Sequence, residues 1–136
     1  MRHIVRLSLR LLTAGYAAAL VVATHIPRLD VSLGVGTPIP ADKLLHFAAY
    51  GVLGFLVGLT AAESDPRRAR WLPIAFVGIA IFALLDEITQ PLCGRHMEAF
   101  DCVADAIGSA AGLSLAAGCS TAVSILRGSA NGHSRR

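Results

Sequence analysis

Charged residues are scarce in this sequence. Only 15% of its 136 residues are Asp, Glu, Lys or Arg, whereas soluble domains contain about 25%. Together with 54% hydrophobic residues, this composition excludes an intrinsically disordered chain and disfavours a water-soluble enzyme. Lysine is nearly missing, since eleven of the twelve basic residues are Arg and only Lys43 is Lys. The arginines flank apolar blocks, so we expect no nucleic-acid partner.

Several catalytic motifs are also missing. The sequence has no Gly-x-x-x-x-Gly-Lys-Ser/Thr loop, no His-Glu-x-x-His, no Gly-x-Ser-x-Gly and no Cys-x-x-Cys. These absences remove the common nucleotide-binding, zinc-protease, serine-hydrolase and dithiol sites from consideration. Cysteine is limited to Cys93, Cys102 and Cys119. We predict that Cys93 and Cys102 are unbonded and that Cys119 packs within a helix.

Long apolar runs are abundant by contrast. Four of them occupy about residues 7–26, 42–62, 71–90 and 102–126. Each is close to the roughly 20 residues that a helix needs to cross about 30 Å of hydrocarbon. We therefore predict an all-α membrane protein, a compact bundle of four transmembrane helices that forms one domain over residues 1–126. The remaining residues, 127–136, are predicted to be a flexible polar tail.

The first run has a second interpretation, because basic residues followed by an apolar stretch are also typical of a secretory signal. Cleavage would then occur near Ala17–Ala19. The apolar run continues past this point through Val21, Val22 and Ile26. This continuation favours a helix that is retained.

The basic residues are divided unevenly between the two predicted membrane faces. Nine of the twelve lie on the side of the termini, and only Arg28, Lys43 and Arg95 lie on the other. By the positive-inside rule, both termini are predicted to be cytoplasmic. Seven of the nine acidic residues lie at the opposite, outer end, since only Glu63 and Asp65 fall on the inner side.

Polar residues enter the helices at this outer end. An unpaired carboxylate at the bilayer centre costs about 2.5–3.5 kcal/mol, so these groups need partners or water. The residues are Asp42, Lys43, His46 and Tyr50 at the start of the second run, Asp86, Glu87 and Gln90 at the end of the third, and Asp101 and Asp105 at the start of the fourth. Helical spacing brings several of them onto shared faces, so we expect one cluster beneath the outer surface.

A stripe of small residues continues from the acids of the fourth run. Asp101, Asp105, Gly108 and Gly112 recur at helical spacing, so one face carries both the acids and the glycines. The second run has a similar Gly-x-x-x-Gly pair at 54–58. Such pairs permit close approach of two membrane helices.

Three segments together resemble the VanZ-like membrane proteins. They are DKLLHFAAYGVLGFLVG, LLDEITQPLCGRHMEAFD and VADAIGSAAG, and the resemblance covers about residues 40–115. The family pattern matches Asp42, Lys43, His46, Tyr50, Asp86, Glu87, Gln90, Arg95 and Asp101. The chain departs from the family at Asp105, where Asn is more common. The resemblance implies a bacterial cytoplasmic membrane and a link to resistance against teicoplanin-type antibiotics.

VanZ-like proteins are considered similar to four-helix membrane enzymes that act on lipid head groups, including phosphatidylserine synthases. By this analogy, the predicted activity is transfer or hydrolysis at a phospholipid or polyprenyl-phosphate-linked head group on the extracytoplasmic side. His46, oriented by Asp42, is the candidate general base. Asp86, Glu87 and Asp101 complete the candidate catalytic set.

The charged and polar side chains also supply candidate residues for binding the substrate and a metal ion. Lys43 and Arg95 suit a phosphate, and Tyr50, Gln90 and Asp105 are further candidate substrate-binding residues. Carboxylates could also hold a divalent cation, Mg²⁺ or Ca²⁺. The candidate ligands are Asp86, Glu87, Asp101 and Asp105.

Structural interpretations compete with these assignments. Asp42 and Asp101 suit helix N-termini, His46 suits packing, and Arg95 suits a salt bridge to Asp101 or Glu87. The rival function is a non-catalytic lipid-binding, glycopeptide-binding or scaffold protein. An ion or proton pathway is disfavoured because the inner halves of the helices lack a polar relay. Expected partners are membrane lipids, a lipid-linked cell-envelope precursor and a second copy of the chain.

Overall fold

The protein is built from four α-helices. The computed structural model describes residues 2–26, 41–64 and 71–133. The helices are α1 (Arg2–Thr24), α2 (Ala41–Ser64), α3 (Leu72–Thr89) and α4 (Ala99–His133), with a short 3-10 helix (Gln90–Cys93) after α3. No β-strand occurs within the described ranges. The predicted all-α fold is confirmed.

All four helices are long and apolar enough to cross a membrane. The segments that meet this condition are His3–Thr24, Ala41–Glu63, Leu72–Cys93 and Ala99–Val123. Large apolar side chains such as Ile4, Leu85 and Leu115 are exposed on the outside of the bundle. Such a surface suits lipid chains and would be unfavourable in water. These features are those of a multi-pass integral membrane protein.

The helices pack as a bundle with α2 and α4 parallel at its centre. His46 near the start of α2 contacts Asp105 near the start of α4, and farther along Gly58 approaches Ala116. α1 packs against α2, and α3 packs against α4. The buried apolar core comprises Leu20, Tyr50, Leu53, Ile79, Ala83 and Leu113. The ends of α1 and α3 meet the starts of α2 and α4 at one end of the bundle.

Glycines bring α2 and α4 into backbone contact. A Cβ atom on Gly112 would collide with the carbonyl oxygen of Gly51, and one on Gly108 would collide with that of Phe47. A Cβ atom on Gly54 would lie 2.5 Å from a backbone oxygen of α4. The predicted small-residue packing face is therefore confirmed, because any side chain at these positions would push the helices apart.

A short turn after α3 returns the chain toward α4. Pro91 lies in the first turn of the 3-10 helix, which ends at Gly94. Gly94 has a φ of 77°, a left-handed conformation that glycine adopts without steric cost. The backbone N–H of Arg95 then donates to the carbonyl oxygen of Gln90 at 3.3 Å. The turn thereby fixes Gln90 and Arg95 beside the start of α4.

Some predicted boundaries differ from the observed ones. α4 begins at Ala99 and continues to His133, so the predicted flexible tail from residue 127 is helical as far as His133. Residues 127–133 contain no proline, and backbone hydrogen bonding can continue beyond the apolar span. The predicted connections over 27–40 and 65–70, including Arg28, lie outside the described residues.

Candidate functional site

Polar side chains from all four helices collect at one end of the bundle, which we call the polar end. It comprises Thr24 and His25 at the end of α1, Asp42, Lys43, His46 and Tyr50 of α2, Asp86, Glu87 and Gln90 at the end of α3, and Glu98, Asp101 and Asp105 at or before the start of α4. The predicted convergence of polar groups from three spans is confirmed, and α1 adds a fourth.

His46 lies at the centre of the polar end and is 6% exposed. Its Nδ1 atom forms a 3.0 Å hydrogen bond with Oδ1 of Asp105. Its Nε2 atom lies 3.8 Å from Oδ2 of Asp101, which is too long for a hydrogen bond. Asp105 therefore orients the imidazole. The prediction that Asp42 does so is wrong, because the carboxylate of Asp42 contacts Lys43 instead.

Lys43 is surrounded by carboxylates. Its Nζ atom donates to Glu98 at 2.7 Å, to Asp101 at 2.9 Å and to Asp42 at 3.3 Å. All three donor positions of the ammonium group are thus occupied. A phosphate would have to displace one of these partners, so the predicted role of Lys43 in substrate binding is disfavoured.

Asp86 is buried among hydroxyl groups. Tyr50 donates its hydroxyl to Oδ2 of Asp86 at 3.1 Å, and the hydroxyl of Thr24 lies 2.9 Å from Oδ1. Nδ1 of His25 lies 3.5 Å from the same oxygen, and Nε2 of His25 is bonded to Thr89 at 3.0 Å. Tyr50 has no exposed surface. Asp86 and Tyr50 therefore connect three helices, and Tyr50 also lines a cavity between α1 and α2.

Glu87 anchors the turn after α3. The backbone N–H of Glu98 donates to Oε1 of Glu87 at 2.6 Å, and Nε2 of Gln90 donates to Oε2 at 2.8 Å. Glu87 and Gln90 are three residues apart, a spacing that predicts a shared helix face, and this bond confirms it. Gln90 is fully buried, and its Oε1 atom has no hydrogen-bond partner. This acceptor has given up its bonds to water without a replacement.

A cavity of about 480 Å³ adjoins His46 between α1 and α2. Its walls are mostly apolar, and include Ala19, Leu20 and Leu45. Its polar lining consists of Tyr16, Thr24, Asp42, His46, Tyr50 and Arg95. Within the described part of the chain, the guanidinium of Arg95 forms no ion pair. The alternative interpretation of Arg95 as a salt-bridge partner of Glu87 or Asp101 is therefore wrong, because the turn at Gly94 directs this residue to the cavity.

Two groups of ligand-type atoms lie close enough together to hold a cation. One consists of His46, Glu87 and Asp101, whose ligand atoms are all within 4.8 Å of one another. The other consists of Asp42, Glu98 and Asp101, but Nζ of Lys43 is already bonded to each of these. Asp86 and Asp105, which the sequence also offers as ligands, belong to neither group.

Sequence analysis overlooked three members of the polar end. Thr24 and His25 contact Asp86, and Glu98 binds both Lys43 and Glu87. Because consecutive membrane helices run in opposite directions, the end of α1 must lie beside the start of α2, the end of α3 and the start of α4. This topology could have identified Thr24 and His25. Cys93 and Cys102 are unbonded, as predicted, whereas the prediction that Cys119 packs within the bundle is wrong, because this side chain is exposed on α4.

In comparisons with known proteins, no family model, no curated protein and no solved structure matches the chain. The function must be inferred from the geometry of the polar end and its cavity.

Proposed function

We propose that this protein binds a phosphate-linked lipid in the cavity between α1 and α2 and acts on its head group. The observation that carries this proposal is the pairing of an apolar cavity with Arg95, which has no acidic partner among the described residues. The apolar walls suit an acyl or polyprenyl chain. The planar guanidinium suits a phosphate through two parallel hydrogen bonds.

His46 provides the candidate reactive group beside this phosphate. It lines the cavity, and Asp105 fixes its ring through Nδ1. The remaining nitrogen, Nε2, has no short hydrogen bond, so it can take a proton from an attacking hydroxyl or water, or hold a metal ion that activates one. The reaction class is transfer or hydrolysis at the head group, as the resemblance to VanZ-like proteins implies.

The proposal assigns the polar end to the extracytoplasmic side. Two features support this orientation. Nine basic residues are predicted at the opposite face, and α1 is retained as a membrane span. The substrate is then a lipid of the outer leaflet, such as a phospholipid or a lipid-linked precursor of the cell envelope.

Binding of labelled lipids to the purified full chain in nanodiscs tests the first part. We expect saturable binding of pyrene-labelled phosphatidylglycerol and of a polyprenyl phosphate, and weak binding of equally labelled diacylglycerol. Arg95→Gln should weaken phosphate-lipid binding at least tenfold, whereas Arg10→Gln, an exposed position on α1 away from the cavity, should match the parent. Equal binding of diacylglycerol, or full binding by Arg95→Gln, would refute the proposal.

Turnover separates the enzyme from its non-catalytic rival. We expect the parent to release product from the labelled lipid and His46→Gln to bind the lipid without releasing product. The rival, a binding or scaffold protein, is favoured by the many polar groups that already bind one another, such as Lys43, Asp86 and Gln90. Saturable binding with no product from the parent would establish the rival.

A further inference from the structure

We infer that His46, Glu87 and Asp101 form a binding site for one divalent transition-metal ion of the Zn²⁺ type. Each residue comes from a different helix, and all three are buried. Their ligand atoms lie within 4.8 Å of one another, a spacing that a single ion can bridge with small side-chain movements.

The orientation of His46 fits a metal ligand. Asp105 accepts a hydrogen bond from Nδ1 at 3.0 Å, which leaves Nε2 for a second partner on the side of Asp101. The 3.8 Å between Nε2 and Oδ2 of Asp101 is too long for a hydrogen bond but is compatible with two ligands of one ion. A carboxylate behind a histidine is the usual arrangement of metal-binding imidazoles, because it fixes the tautomer and ring plane.

The buried side chain of Gln90 is a second, independent observation that favours a cation at this site. Its side chain has no exposed surface, and Nε2 binds Glu87 at 2.8 Å while Oε1 has no partner. Covalent geometry keeps Oε1 within about 5 Å of the Glu87 oxygen that accepts this bond. An amide oxygen without a donor, this close to a proposed ligand, can be satisfied by a cation or by a water bound to it.

The balance of charge also favours a cation. Asp86, Glu87, Asp101 and Asp105 are all buried at the polar end. Among the described Lys and Arg side chains, only that of Lys43 contacts any of these four carboxyl groups. Uncompensated carboxylates are costly to bury, and a divalent ion beside Glu87 and Asp101 would offset two negative charges.

The donor atoms select the type of ion. Mg²⁺ and Ca²⁺ prefer sites made of oxygen atoms alone, whereas Zn²⁺ accepts imidazole nitrogen together with carboxylate oxygen. The structure therefore favours Zn²⁺ chemistry over the Mg²⁺ or Ca²⁺ expected from the acids alone. In relation to head-group chemistry the inference rests on the proposed function, since His46 lines the cavity and the ion would act there as a Lewis acid.

Metal binding to the purified full chain tests this inference without any lipid substrate. The chain is stripped with a chelator, dialysed against ZnCl₂ and analysed for bound zinc. We expect one ion per chain, and a raised midpoint of thermal unfolding when Zn²⁺ is in excess. Mg²⁺ at the same concentration should produce neither effect.

Variants then identify the ligands. His46→Gln and Glu87→Gln should each lower zinc affinity at least 100-fold. Asp105→Asn, which acts by positioning His46, should lower it 10- to 100-fold. Glu63→Gln, an exposed position of α2 away from the cluster, should leave it unchanged. The Co²⁺-loaded parent provides a second measurement that does not depend on the folding of a ligand variant. Its absorption spectrum should be that of mixed nitrogen and oxygen ligation.

Two results would overturn the inference. One is a parent that binds no zinc and gains no thermal stability. The other is a folded His46→Gln variant that binds zinc as tightly as the parent. Neither outcome bears on lipid binding through Arg95. Likewise, a failure to bind lipid would not change the result of the zinc measurement. The two proposals can therefore fail separately.

Discussion

The α2–α4 interface and the α1–α2 interface use the same helix in opposite ways. Toward α4, glycines of both helices allow backbone atoms to touch along the parallel pair. Toward α1, the side chains of Tyr16, Leu20 and Leu45 hold the helices apart around a cavity of about 480 Å³. Only a few polar contacts connect α1 to α2, such as the Tyr16 hydroxyl donated to the carbonyl oxygen of Ala49 at 3.0 Å.

This difference separates stability from binding. The α2–α4 interface fixes the relative positions of His46, Asp101 and Asp105, which must be accurate for any chemistry. The α1–α2 interface can leave space for a ligand because it does not have to fix the positions of these three side chains. In the proposed function, α2 thus presents a closely packed face to α4 and a cavity-lining face to the lipid.

The largest effect should come from crowding the α2–α4 interface. Gly112→Leu would drive a side chain into the backbone of α2 at Gly51, and should destabilise the bundle by about 3 kcal/mol or more. Gly118→Leu is the matched control, because no atom lies within 4 Å of a Cβ at that position of the same helix. Thermal unfolding in detergent, followed by size-exclusion chromatography, measures both. Equal stability of the two variants would contradict the packing described.

Filling the cavity should affect binding and spare stability. Ala19→Trp places a large ring in the space between α1 and α2, and should reduce phosphate-lipid binding at least tenfold. Ala18→Trp, on an exposed face of the same helix outside the cavity, is the control and should bind as the parent does. Both variants should unfold within about 0.5 kcal/mol of the parent, as surface substitutions usually do. Unchanged lipid binding by Ala19→Trp would place the ligand elsewhere.

The smallest effect should come from the polar contact that joins α1 to α2. Tyr16→Phe removes one hydrogen bond between half-buried groups and should cost about 0.5–1.5 kcal/mol. Ser114→Ala removes a bond within α4 on an exposed face, and serves as the comparison. Denaturation of the two variants in the same detergent checks the order. A loss above about 3 kcal/mol for Tyr16→Phe would mean that α1 is fixed as firmly as α4.

Much of this architecture follows from patterns that are local in the sequence. Apolar length predicts four spans, and helical spacing predicts the buried face that carries Asp101, Asp105, Gly108 and Gly112. The same spacing predicts the bond between Glu87 of α3 and Gln90, the first residue of the 3-10 helix that continues it. These successes share a cause, because each concerns residues on one helix, whose relative positions are set by helix geometry alone.

Errors occurred where partners come from different helices. His46 was expected to bind Asp42 one turn away, but its partner is Asp105 on α4. A salt bridge to Glu87 or Asp101 was the structural alternative for Arg95, but the left-handed turn at Gly94 directs this residue to the cavity. Periodicity gives the direction of a side chain on its helix and does not give the rotation of that helix against its neighbour.

The sequence by itself determined that this chain forms four membrane-spanning helices with their acidic ends together, because apolar length and charge position act without reference to tertiary contacts. Only the tertiary structure decided which carboxylate orients His46, which acids Lys43 occupies, and where a cavity remains. Those choices depend on how closely two helices approach and at what rotation. Both quantities are set by the packing of facing side chains, glycines above all, and not by either helix alone.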